Sequence, residues 1–212
     1  MFTLVRGAAT AALGLGLLLA SSSAHALTIP LNVEFDTGAT GPYATLTVNE
    51  VGGDLDFSLS LAGTNLGAGA DLHEFYFNLT GSPTGLALSN TNAPTTAYAL
   101  LTNPPVSGGA GSAFDFGVSF GNGAGPSGNG ALKTATFRLS ADQPLSLASL
   151  SELSQTSAGI LVNFALHVQG TSLPGATSET VGGVIPEPTT ALLLGAGLLG
   201  LARSGRRRAQ RS

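Results

Sequence analysis

The triplet Asp36-Thr37-Gly38 follows the apolar start of a strand, "VEF", and has the residue types of an aspartic-protease signature. That chemistry needs two carboxylates sharing one proton. The chain has no second Asp-Thr-Gly or Asp-Ser-Gly, nor an evident second hydrophobic-Gly element to complete a dimeric version. Asp and Gly both favour turns, so the triplet reads as a turn. His73 stands beside Asp71 and Glu74, nitrogen and oxygen donors of the kind that bind metals. On a regular strand Asp71 and His73 share a face and Glu74 points away. Two ligands do not make a site, so a solvated face is expected. His167 alternates with an apolar series and is expected to point outward. Asp54 and Asp56 share the polar side of one strand, with Glu50 nearby. Oxygen ligands suit Ca²⁺, but no calcium-loop spacing is present and plain solvation is expected.

Other signatures fail. Neither G-x-S-x-G nor H-E-x-x-H occurs. Spacing leaves paired carboxylates for glycoside hydrolysis open, yet there is no Trp to stack on a sugar ring. Gly195 to Gly200 match G-x-G-x-x-G, but no strand or βαβ unit frames them so near the end of the sequence. No catalytic residue, cofactor or metal ligand is assigned from the sequence.

The elements that carry these residues alternate with a period of two. In "DLDFSLSL", Leu55, Phe57, Leu59 and Leu61 take one face and Asp54, Asp56, Ser58 and Ser60 the other. "FDFGVSF" sets Phe114, Phe116, Val118 and Phe120 together, and "ILVNFALHV" does so with Ile160, Val162, Phe164, Leu166 and Val168. "ATLTV", "EFYFNL" and "KTATFRL" follow suit. One buried and one wet face imply antiparallel sheet. "VGGD" reads as a hairpin turn and "LSLASLSEL" as a short helix. The pattern predicts a single all-β domain, a β-sandwich or jelly roll, over residues 27–169. Residues 170–185, rich in Gly, Ser and Thr, read as a flexible stalk.

Charge narrows the partners. Between residues 27 and 185 only Lys133 and Arg138 face eleven acids, a net charge of −9 that the whole-chain −4 conceals. Nucleic acid, which requires a basic footprint, is not an expected partner. With no cysteine, thiol chemistry and disulfides are excluded.

Both ends are apolar. Residues 1–26 combine Arg6, an apolar run and the small-x-small site Ala24-His25-Ala26, as a Sec signal peptide does. Signal peptidase is expected to leave Leu27 first. At the other end, Pro186-Glu187-Pro188 precedes the apolar run Thr189–Ala202 and the arginines Arg203, Arg206, Arg207, Arg208 and Arg211. As a helix the run spans ~21 Å, short of the ~30 Å hydrocarbon core. Basic residues beside an apolar helix stay cytoplasmic, so a short membrane helix, marginal as a permanent anchor, with the body across the membrane is expected; the resemblance described next implies a transient stay in an inner membrane.

Residues 186–212 resemble the PEP-CTERM sorting signal, which has the same three parts in the same order. The body also resembles PEP-CTERM ectodomains through "ATLTVNEVGGDLDFSLSL", "FDFGVSFGNGAG" and "HVQG". The resemblance implies a Gram-negative host that makes exopolysaccharide, and an exosortase as the processing partner. Pro186, Glu187 and Pro188, with Arg206, Arg207 and Arg208, would be the sorting signal. It further implies delivery to the cell surface or extracellular matrix and a structural or interaction role with exopolysaccharide, biofilm or matrix proteins. A carbohydrate- or Ca²⁺-binding module is the alternative, and a secreted hydrolase a more distant one.

Overall fold

The computed structural model describes residues 26–62, 65–92, 98–106, 114–121, 132–173 and 176–186. The strands are β1 (Ala26–Glu34), β2 (Thr40–Val51), β3 (Asp54–Leu61), β4 (Asp71–Phe77), β5 (Ala87–Ser89) and β6 (Ala99–Thr102). They continue with β7 (Phe116–Ser119), β8 (Thr134–Ser140), β9 (Ser154–Gln155), β10 (Leu161–Val162), β11 (Phe164–Leu173) and β12 (Ala176–Gly183). A 3-10 helix covers Leu147–Leu150, within the segment read as a short helix. No helix among the described residues is long and apolar enough to cross a membrane; Thr189–Ala202 lies outside them.

The all-β, antiparallel expectation holds, but the layering differs from a two-sheet sandwich. Ten strands form one sheet in the order β5-β8-β3-β2-β1-β12-β11-β4-β7-β6, and β9 pairs only with β10. The edge strands β5 and β6 approach each other, so the sheet curls almost into a barrel. Strong twist makes a sheet this wide curl on itself. The concave side holds the main core, including Leu46, Phe57, Phe75, Phe77, Phe137, Phe164 and Leu166. The outward side of β2, β3 and β8 carries Thr45, Thr47, Ser58, Ser60, Thr134 and Thr136 in facing registers.

Sequence periodicity locates β3 to the residue, and the β2–β3 turn is the expected "VGGD" hairpin. Gly52 and Gly53 both have positive φ, +63° and +93°, which a two-residue turn matched to strand twist requires. "ILVNFALHV" is not one strand. It breaks at Asn163, whose buried amide donates to the Leu150 and Glu152 carbonyls (3.3 and 3.2 Å) and accepts from the Ile185 N–H (2.8 Å). Val162 therefore joins Phe35, Tyr76, Phe114 and Ala165 in a second core on the other face, apart from Phe164, Leu166 and Val168. Phe114 belongs to that second core too, because β7 begins only at Phe116.

The expected flexible stalk is overturned. Residues 176–183 form β12, in mid-sheet between β1 and β11. Gly182 and Gly183 mislead because glycine suggests a linker; here they admit close neighbours. A Cβ on Gly183 would lie 2.5 Å from the Pro30 carbonyl oxygen, and one on Gly182 2.6 Å from the Phe35 ring.

Candidate functional site

The β4–β11 pair contains an irregularity that builds a site. Phe77, Tyr76, Phe75 and Glu74 face Phe164, Ala165, Leu166 and His167 in turn, but Val168 then faces Leu72. His73 is an extra residue with no opposite number, a β-bulge. A bulge breaks strict side-chain alternation, and His73 and Glu74 come to lie together instead of on opposite faces. Donor atoms from His73, Glu74 and His167 all lie within 4.8 Å of one another. His73 Nδ1 is 3.9 Å from a Glu74 carboxylate oxygen. The two imidazoles meet edge to face, with centroids 5.2 Å apart and planes at 84°. The pleat argument placing Glu74 away from His73 thus fails through a single inserted residue.

His167 does lie on the side away from the main core, yet it is only 4% exposed. The expected outward, solvated histidine is buried. Desolvation pushes its pKa down to about 4, the neighbouring His73 adds to this, and Glu74 opposes it. His167 is therefore a neutral imidazole near pH 7, with a ring nitrogen lone pair available. Neither of its ring nitrogens has a hydrogen-bond partner, nor does His73 Nδ1 or Asp71 Oδ1, and all four atoms are buried. The Tyr76 hydroxyl donates to the Glu74 carboxylate and fixes it. Asp71 is also buried, and desolvation raises its pKa against the pull of His73 and Lys133. Lys133 anchors that corner by donating to the carbonyls of Ala68 and Ala70.

The other sequence candidates scatter. Asp36-Thr37-Gly38 lies in the β1–β2 connection, closed by Gly38 N–H donating to the Glu34 carbonyl at 3.0 Å. Thr37 donates to the Glu34 carboxylate. Asp56 receives two hydrogen bonds from Arg138, at 2.5 and 2.7 Å, and Asp54 lies 3.9 Å from the same guanidinium. The cation beside these carboxylates is an arginine. Its hydrogen bonds hold the Asp56 carboxyl below the usual range. Glu50 accepts from the Leu147 N–H at 3.1 Å.

One acidic group escaped the sequence reading because it sits in the supposed stalk. Glu179 faces Val168 in register and is 3% exposed. Burial pushes its carboxyl up to about 7, and the neighbouring Glu34 side chain and the charge of Asp36 push the same way. Its signal in the sequence is the alternation of Glu179 with Val181, which is legible only if the segment is taken as a strand.

Of the expected processing residues, Ala24, Glu187, Pro188 and Arg206 to Arg208 lie outside the described residues. Ala26 and Leu27 open β1, paired with Asn49 and Val48. Val184 and Pro186 are exposed just after β12 ends at Gly183. Comparison with curated proteins and with solved structures finds no match to the chain. The family model of the PEP-CTERM protein-sorting motif does match, over residues 184–208, so the chain carries the C-terminal sorting tail of an exported protein targeted by an exosortase.

Proposed function

We propose that this chain is a non-enzymatic cell-surface or extracellular-matrix protein of a Gram-negative bacterium, whose β domain serves a structural or interaction role with exopolysaccharide or matrix proteins. The observation that carries this reading is the junction at Gly183–Val184. A sorting motif starts on the residue after the last described strand of a folded, nearly closed β domain. The tail is then a handle on folded cargo, held briefly in the inner membrane and removed by the exosortase. Cleavage by signal peptidase after Ala26 would leave Leu27 first and keep almost all of β1, which supports that boundary.

Peptide mass mapping of the mature protein in separated inner-membrane, surface and medium fractions tests the reading. The expected product ends near Pro186–Pro188 and lies outside the inner membrane. A protein that retains Arg206 to Arg211 in the inner membrane refutes surface delivery.

A carbohydrate-binding role has one specific support. A shallow hollow of about 240 Å³ is lined by Asn49, Asp56, Phe57, Ser58, Asn90, Thr136 and Phe137; Asn49, Ser58, Asn90 and Thr136 supply amide and hydroxyl groups suited to sugar hydroxyls, while Arg138 already holds the Asp56 carboxylate. Titration with the host exopolysaccharide, comparing the native chain with Asn90→Ala, decides it. Saturable binding weakened by the substitution supports the role, and equal or absent binding removes it.

A further inference from the structure

We propose that His73, Glu74 and His167 form a binding site for one divalent transition-metal ion of zinc-like preference. The argument rests on placement and on unmet bonding. The β4 bulge gathers two imidazoles and a carboxylate from adjacent strands, with donor atoms within 4.8 Å of one another. An ion bound at ~2.0–2.1 Å in a tetrahedral shell sets neighbouring ligand atoms ~3.3 Å apart. Side-chain rotations that shorten the widest gap by about 1.5 Å close the shell, with no change in strand register.

Buried polar atoms are nearly always hydrogen-bonded. His167 is 4% exposed, and both of its ring nitrogens lack a partner, as does His73 Nδ1. Edge-to-face packing of the two rings satisfies none of these three atoms. A metal ion partners two of the three, because it takes one lone pair from each imidazole, and the second His167 nitrogen keeps its N–H. The Tyr76 hydroxyl already orients the Glu74 carboxylate, the kind of supporting bond that metal-binding carboxylates carry.

Ligand chemistry sets the ion class. Two imidazoles and one carboxylate suit Zn²⁺ and its first-row neighbours, whereas Ca²⁺ and Mg²⁺ take oxygen ligands almost throughout. Three protein ligands leave one position for water or a donor from a partner molecule. The site stands independently of the sorting reading, since the bulge lies in the middle of the domain.

The test uses the untagged, chelator-stripped full chain with Zn²⁺ as the probe, followed by calorimetric titration and by metal analysis after gel filtration. The expected result is one ion per chain and a raised melting temperature. Glu74→Gln, His73→Asn and His167→Asn should each weaken binding by more than the ~10- to 100-fold that losing a supporting outer-shell bond costs. Because His167→Asn changes a buried position, the two less buried variants decide the matter if it does not fold. Tyr76→Phe should weaken Zn²⁺ binding less than Glu74→Gln does. No stoichiometric uptake, uptake unchanged in Glu74→Gln and His73→Asn, or preference for Ca²⁺ over Zn²⁺ overturns the proposal.

Discussion

Phe57 on β3 and Phe137 on β8 face each other in register and stack, with ring centroids 4.8 Å apart and planes within 12°. Phe75 and Phe77 approach Phe57 from β4 at 5.9 and 5.7 Å, so the rings bridge the barrel interior. Phe57→Ala should cost ~3–5 kcal/mol, the usual penalty for emptying a ring-sized volume in a core. Urea unfolding should show the midpoint falling at constant slope. The neighbouring outward-facing Ser58→Ala should leave stability nearly unchanged. Equal effects would mean that the sheet does not enclose this core.

Glu179 makes stability depend on pH. Its folded carboxyl is raised to about 7 from an ordinary 4.5, by burial first and then by Glu34 and Asp36. As pH rises past 4.5 the unfolded chain ionises while the folded one does not. The stability present below 4.5 is therefore lost as pH climbs to about 7. Glu34 from β1, Asp36 from its loop and Tyr43 from β2 all interact with this group, so the native-minus-variant difference is the quantity to follow. The melting-temperature gain of Glu179→Gln over the native chain should be small at pH 4.5 and grow to a plateau above pH 7. A gain independent of pH would rule out this assignment.

Gly183→Ala should destabilise by ~1–3 kcal/mol through overpacking. Its Cβ would press on the Pro30 carbonyl and on Leu31, at 2.5 and 2.8 Å. Thermal unfolding measures it. A neutral outcome would return residues 176–183 to the status of a stalk.

Asn163→Ala should loosen the approach to the sorting tail. The substitution deletes the acceptor for the Ile185 N–H and the donor to two carbonyls. Leaving such buried groups unpaired costs ~1–3 kcal/mol each. Limited proteolysis read by mass should show faster cutting near Val184–Pro186 while cutting elsewhere stays slow. Uniform protection would show that Asn163 does not hold that segment.

Strand type and antiparallel pairing were legible wherever one face is apolar and the other polar, as in Asp54–Leu61. What periodicity could not supply was anything set by a break in period. Asn163 splits a run that looks continuous, because its side chain bonds across to Leu150 and Ile185. The extra His73 turns a regular pleat into a bulge, so two neighbouring residues meet a histidine from β11, 94 positions on. Glycine misled for a related reason. At Gly52 and Gly53 it marks a turn that local rules recognise, whereas at Gly182 and Gly183 it marks contact with atoms about 150 residues away. The sorting tail, by contrast, was readable at once, because an enzyme recognises it as a linear peptide and not as a surface.

The adjacency of β1 and β12 sets an order of events for export. The first strand of the domain pairs with its last, at Val33–Gly182 and Glu34–Val181, in the interior of the sheet. Until β12 has crossed the membrane, β1 and β11 each expose an unpaired edge, and the sheet remains in two halves. In an exported chain the sheet would therefore be completed only once β12 is across. The strand that joins the halves is followed at once by the tail, so completion of the sheet and arrival of the processing signal coincide, and any pull on that tail before its release is felt first in mid-sheet.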